Sequence, residues 1–296
     1  MAEHRADIHT RITAEIVAAI EAGAGPWTMP WHHDGSAISR PTNVGSERRY
    51  RGVNVIALWI AARAAGYANG VWGTYRQWFG LGAQVRKGER GTTVVLWKPI
   101  ASANDADEGD EEESARRRLV ARAFTVFNVA QVDGYEPKPV APRPETERFA
   151  HADAFIGALK IPVTFGVYDA HYRIDLDHIF MPSFEAFHDA AGFYGTLVHE
   201  CAHGSGAKHR LDSDFHARFH RDALAIEEAT AELTASFILA DLGIAHHPRP
   251  DHAAYVASWL RVLKNDPRAI FTGASKAQAA ADWMHAQQPQ TAEKAA

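Results

Sequence analysis

The chain is 296 residues long and 46% apolar, which fits one large domain or two ordinary ones and excludes disorder over its whole length. A single cysteine, Cys201, excludes an intramolecular disulfide and favours a reducing compartment. The net charge of -5 conceals an uneven distribution: residues 1–100 carry 12 Lys and Arg against 7 Asp and Glu, while residues 105–113 alone hold seven acids.

The N-terminus has no basic segment leading into an apolar one, and no run of about 18 apolar residues occurs, so a soluble cytoplasmic chain with no membrane partner is expected. Ile8, Ile12, Ile16 and Ile20 recur every fourth residue up to Gly23, the pattern of an amphipathic opening helix. Apolar Val53–Ala65 predicts a second helix ended by Gly66, with Trp59 in its core-facing part, and Thr74 is placed to cap a short helix carrying Tyr75 and Trp78. Two β-rich runs follow, Thr92–Trp97 and Ala121–Val132, predicted to pair across a long loop that holds the acidic stretch and Arg116, Arg117 and Arg118. Residues 133–147, DGYEPKPVAPRPETE, are too rich in proline for a continuous helix or a central strand and predict an extended linker. Beyond it, Phe149–Leu159 has helical spacing, and Thr164–Tyr168 and Tyr172–Phe180 are expected as strands. Helices are then predicted over Phe184–Gly204, Ala223–Leu242, His252–Lys264 and Ser275–Gln287, with Gly243 capping the second.

Six of the eight tryptophans, Trp27, Trp31, Trp59, Trp72, Trp78 and Trp97, fall in the basic N-terminal part. Single-stranded nucleic acid needs that mixture, because phosphates attract Lys and Arg while unpaired bases stack on flat apolar faces. The candidate DNA-binding residues are Arg48, Arg49, Tyr50 and Arg51, the aromatics Trp72, Tyr75 and Trp78, and Arg86, Lys87 and Arg90 on a glycine-punctuated turn. No base-reading pattern is visible, so the expected binding is independent of sequence.

The sharpest pattern is His199-Glu200-Cys201-Ala202-His203. Two histidines four apart on a helix project from one face and can hold one zinc ion, Zn2+, while the glutamate beside the first reaches the water that the ion activates. Glu200 is therefore the candidate catalytic base, and Cys201, which points to another helix face, is expected to be a buried thiol. For the third ligand two residues compete. His209 completes the spacing of metzincin proteases, whereas Glu228 lies 25 residues past His203 and is followed by Glu232 on the same helix face, a pattern that resembles thermolysin-like gluzincins. Glu228 is favoured, with Glu232 orienting the first histidine, because a metzincin also wants a methionine turn and the one Met after His209, Met284, falls in a predicted helix. A solvated helix face is the alternative for Glu227, Glu228 and Glu232.

Together these residues carry a resemblance. Tyr50-Arg51-Gly52-Val53-Asn54, Trp72-Gly73-Thr74-Tyr75-Arg76-Gln77, the run from Val85 to Gly91 and Phe127-Asn128-Val129-Ala130-Gln131 resemble the single-stranded-DNA-binding domain of ArdC antirestriction proteins. The run from Asp177 to Pro182, the HECAHGSG helix, Arg210-Leu211 and EEATAEL are similar to the metallopeptidase half of that family. The resemblance implies an α+β protein of two domains: residues 1–132 binding single-stranded DNA, residues 133–147 as linker, and residues 148–296 as a mainly helical zincin-like metallopeptidase domain with a small sheet. It further implies a bacterial cytoplasmic protein, carried by plasmids or phages, that protects entering DNA from host restriction enzymes, one of which is a possible protein target. Histidine at position 209 and the acidic stretch 105–113 depart from the family pattern. Two other readings stay open: a zinc protease, dependent on DNA or not, acting on a protein target, and a pure single-stranded-DNA-binding protein with a structural metal.

Overall fold

The structure is a computed structural model, and its described residues are 7–22, 40–100, 118–137, 144–213, 221–246 and 252–289. Trp27, Trp31, Gly23, Arg116, Arg117 and the acidic stretch 105–113 lie outside them. Helix α1 (Ile8–Ala22) buries Ile12, Ile16 and Ile20 along one stripe, as the fourfold spacing requires. Helix α2 (Val53–Ala65) ends where expected: Gly66 adopts the left-handed conformation at φ 67 and its N–H returns to the Ala62 and Arg63 carbonyls. Strands β1 (Thr42–Asn43), β2 (Val71–Gly73), β4 (Thr92–Ile100) and β5 (Arg118–Asn128) form one sheet in the order β1-β2-β5-β4. β4 and β5 pair antiparallel from Thr92 opposite Val126 to Ile100 opposite Arg118. Between β2 and β4 lies α3 (Tyr75–Gly80), capped reciprocally by Thr74 and Gln77.

The second β-rich run does not continue to Val132 as one strand. The Asn128 side chain accepts from Ala130 N at 2.9 Å and the Gln131 side chain accepts from Asn128 N at 2.8 Å, so the chain turns through a short 3-10 segment, Val129–Gln131. It re-emerges as β6 (Val132–Asp133), paired with β3 (Gln84–Val85) in a separate two-stranded sheet.

In the C-terminal half, α4 (Glu145–Ala158) begins inside the predicted linker, with Pro144 at its cap and Glu145 and Glu147 in a first turn that favours acids. β7 (Val163–Phe165), β8 (His171–Arg173) and β9 (His178–Met181) make a sheet in the order β7-β9-β8. The single strand expected over Tyr172–Phe180 is instead two, because the chain reverses before Asp177, which holds φ 47. Four helices follow: α5 (Ala190–Ser205), α6 (Arg221–Leu242), α7 (His252–Asn265) and α8 (Ala269–Ala286). α5 starts later than predicted since Asp189 is extended and its carboxylate accepts from Gly192 N at 2.7 Å, which makes it the cap. α8 starts earlier, just after Pro267, with Asp266 accepting from Arg268 N at 2.8 Å.

The two halves share one apolar core. α1 packs on α7, α2 on α8, and α5, α6 and α8 on one another, so that Ile12, Ile16, Ile56 and Trp59 join Leu197, Phe237 and Leu263 in a single cluster. Polar ties cross the same seam: Thr13 donates to the Pro267 carbonyl at 2.6 Å, and buried Arg40 donates to Gln278 at 2.7 Å.

Candidate metal centre

Packing of α6 on α5 brings three side chains to one point. His199 and His203, a turn apart on α5, place their Nε2 atoms 3.1 Å from each other. Glu228 of α6 closes the triangle, with one oxygen 3.4 Å from His199 Nε2 and the other 3.7 Å from His203 Nε2. Two nitrogens bound to one tetrahedral zinc at about 2.0–2.1 Å stand about 3.3 Å apart, so these three side chains are spaced for one small divalent ion. Among the described residues they are also the one group of His, Cys, Asp or Glu close enough to share a metal.

A second tier of carboxylates sits behind the histidines. Glu232 lies 3.3 Å from His199 Nδ1, and Glu227 lies 3.3 Å from His203 Nδ1. An ionised carboxylate only accepts, so each Nδ1 is favoured as the protonated nitrogen and each Nε2 is left with a bare lone pair facing the ligand position. Glu232 stands where the sequence places it, whereas Glu227 takes an orienting position that the sequence pattern does not assign to it. Its signal was available, since a second histidine needs a second acceptor and Glu227 adjoins Glu228. His199, His203, Glu200, Glu227 and Glu232 are all buried, whereas Glu228 keeps 17% of its side chain exposed. Burial pushes the Cys201 thiol up to about 12, with the Glu200 charge adding to the effect.

His209 takes no part in this group. Its side chain is 62% exposed and lies 3.3 Å from Asp177. Asp177 itself is held by Arg210 through two hydrogen bonds, at 2.6 and 2.8 Å, and Arg210 also donates to the Gly204 carbonyl, which fastens the end of the histidine helix to the turn between β8 and β9.

The candidate DNA-binding residues divide. Trp72 and Trp78 are fully buried, which corrects the expectation that they offer stacking faces. Gly73 is what permits that burial: a Cβ there would meet Val44 at 2.6 Å and the Trp78 ring at 3.1 Å. Trp78 donates its indole N–H to the Phe127 carbonyl at 3.1 Å, and Trp72 packs with Leu58, Val94 and Val126. Tyr75 remains half exposed and lines an open groove of about 520 Å³ together with Gln84, Arg86, Lys87, Phe127 and two carboxylates, Glu89 and Asp133. Arg86 there is braced by Glu89 at 2.9 Å and Asp133 at 3.3 Å. Arg48, Lys87 and Arg90 are exposed. Arg49 pairs with Asp241 at 2.7 Å, Arg51 pairs with Asp282, and Tyr50 is half-buried with its hydroxyl accepting from Asn43 at 2.9 Å.

Comparison with known proteins follows the same division. The family model for the N-terminal domain of anti-restriction factor ArdC matches residues 6–127, and that for a zincin-like metallopeptidase matches residues 150–276. The crystal structure of the antirestriction ArdC protein from plasmid R388, metal-free, superposes with a TM-score of 0.76 at 37% identity, over 95% of this chain and 97% of that one. The chain belongs to the ArdC antirestriction family. An ArdC structure from R388 described as Mn(II)-bound superposes equally well, with a TM-score of 0.76 over 96% of this chain and 99% of that one. An uncharacterized protein of Sinorhizobium fredii, y4eC, is 57% identical over 284 residues, covering 95% of this chain and 92% of the relative. DNA primase TraC of Escherichia coli is 36% identical over 96% of this chain, but the chain spans only 27% of that larger protein. The protein is thus an ArdC-type chain of α+β fold with a zincin-like C-terminal half, and among its described residues no helix is long and apolar enough to cross a membrane.

Proposed function

We propose that this ArdC-type protein binds single-stranded DNA through residues 1–132 and carries a divalent-metal peptidase site, with zinc as the expected ion, in residues 148–296. The observation that carries the metal reading is the triangle of His199, His203 and Glu228, closed to between 3.1 and 3.7 Å and backed by a carboxylate at each histidine. A divalent ion held by these residues would supply Lewis acidity toward a peptide carbonyl and a water. Glu200, buried beside His199, would be the base that holds a proton from the attacking water on its carboxylate and returns it to the leaving amine. His199 and His203 would offer Nε2 to the ion, with Glu232 and Glu227 facing their Nδ1 atoms.

Support for the DNA reading comes from the basic balance of residues 1–100 and from the groove where Tyr75, Arg86 and Lys87 meet. A stacking aromatic beside the exposed Lys87 suits unpaired bases without reading them, and Arg86 joins in where a phosphate takes the place of Glu89 or Asp133. Protection then follows from occupancy of the entering strand, which demands no cleavage. The test is transfer of unmodified plasmid into a restricting host carrying either Glu200→Ala or Arg86→Glu/Lys87→Glu. The double reversal should lose protection and Glu200→Ala should keep it. If Glu200→Ala abolishes protection while DNA binding is intact, hydrolysis of a host protein such as the restriction enzyme is the mechanism.

A further inference from the structure

His246 lies outside the metal group, past the end of α6, in a stretch with no predicted element. It is 1% exposed, too buried for a surface histidine. The chain gets there because Gly243, at φ 71, turns it back, and Ile244 N returns to the Leu239 carbonyl at 2.9 Å. The imidazole then sits between α5 and α6. Its Cδ2 is 3.7 Å from where a Cβ on Gly195 would stand, one turn before His199 on the same helix face.

Both ring nitrogens meet groups of α6. Nδ1 is 2.8 Å from Ser236 Oγ, and Nε2 is 3.4 Å from Glu232 Oε1. Ser236 Oγ also stands 2.9 Å from the Glu232 carbonyl. The single hydroxyl proton goes to one of these two acceptors. If it goes to Nδ1, the ring's own proton is on Nε2; if it goes to the carbonyl, Nδ1–H donates to Oγ, and a bare Nε2 would then face an anionic oxygen unless it too is protonated. The first arrangement puts N–H at Nε2 toward Glu232, and so does the second when the ring carries both protons. The other Glu232 oxygen, Oε2, faces His199 Nδ1 at 3.3 Å. One carboxylate is therefore braced from two sides, and its orientation decides where His199 points its lone pair.

We propose that His246 is a positioning residue of the metal centre: it holds Glu232 from behind so that Glu232 orients His199 toward the ion. This rests on the metal reading above. A buried carboxylate that loses one of its two imidazole neighbours is free to rotate away from His199, and orienting partners of this kind are typically worth about 10 to 100-fold in metal affinity.

The probe is Zn2+ alone, titrated against a chromophoric chelator, with circular dichroism to establish that each variant is folded. His246→Ala should weaken zinc binding about 10-fold, the low end of that range because it acts one residue further out. His246→Gln places an amide N–H where Nε2–H was and should recover most of the loss, which a role in packing alone would not permit. Ser236→Ala, which keeps the imidazole but frees Nδ1, should fall between wild type and His246→Ala. Adding His246→Ala to Glu232→Ala should cost nothing further, since the two act through one contact. Zinc binding by folded His246→Ala equal to wild type, or full additivity with Glu232→Ala, overturns the inference. If His246→Ala does not fold, the Gln and Ser236 variants decide: wild-type affinity for Gln with weakened affinity for Ser236→Ala supports it, and equal weakening of both overturns it. A wild-type chain that takes up no zinc overturns the metal reading and this inference together, whereas a zinc-binding wild type with an indifferent His246 overturns the inference alone.

Discussion

Arg40 is where the seam between the two halves can be tested by one substitution. Its side chain is 3% exposed and touches both halves: Nη2 donates to the Tyr50 carbonyl at 3.3 Å and to Gln278 at 2.7 Å, Nη1 is 3.6 Å from Asp241, and the guanidinium lies 4.4 Å above the Phe237 ring. Arg40→Ala leaves Asp241, equally buried, with Arg49 at 2.7 Å and His285 at 2.9 Å as its remaining partners. Removing one member of a buried ion pair costs about 3–5 kcal/mol, and the surviving Arg49 contact points to the low end, about 3 kcal/mol. In a chain of this size each kcal/mol shifts the melting temperature by roughly 2 °C, so a fall of about 6 °C is expected. Because Ile12, Trp59, Phe237 and Leu263 belong to one cluster, the whole melting curve should move as a single transition. Calorimetry measures both quantities. A loss below about 1 kcal/mol, or two separate transitions of which only one moves, refutes the argument that the halves share a core through this residue.

Three further outcomes are expected. Burial raises the Asp177 carboxyl, but hydrogen bonds from Arg210 and Tyr172 outweigh it and hold the group below its ordinary 3.8. A depressed carboxyl contributes stability above its unfolded value and loses it as the pH falls through the folded one, so Asp177→Asn should destabilise by roughly 1–2 kcal/mol at pH 7, and the gap to wild type should close in acid. A gap that persists unchanged in acid contradicts this assignment. Cys201, 1% exposed and with its thiol pushed up to about 12, should resist iodoacetamide at pH 8 until the protein is denatured; rapid stoichiometric labelling of the native chain would show the burial to be wrong. Tyr75→Ala should weaken single-stranded DNA binding by about 1–3 kcal/mol in an anisotropy titration, whereas Trp78→Ala should cost about 3–5 kcal/mol of stability instead, and the reverse pattern would return Trp78 to the binding face.

The metal-site pattern was legible because it lies within helices. His199 and His203 share a face by spacing alone, and Glu228 and Glu232 do so four residues apart on the next long helix, so a short-range rule sufficed. The cap at Gly243 was legible too, but that Glu227 faces His203 and His246 faces Glu232 depends on the docking of α6 on α5, which is not a local property. Trp72 and Trp78 were misread for a related reason: glycine marks either a turn or a close approach, and only the packed neighbours tell which. The isoleucine stripe of α1 was evident, but its partner was not, because amphipathicity states that a face is buried without naming what covers it. Hence the proline-rich segment looked like a separator between independent cores, although α4 already begins at Glu145 and the core runs through both halves.

The central claim, that His199, His203 and Glu228 hold one divalent ion, is tested most directly by zinc content after chelation, reloading and dialysis, in wild type, Glu228→Ala and His209→Ala. Wild type and His209→Ala should each retain one zinc per chain, while Glu228→Ala, stripped of one ligand in three, should retain almost none. Zinc kept by Glu228→Ala and lost by His209→Ala would contradict the account and move the third ligand to the loop after α5.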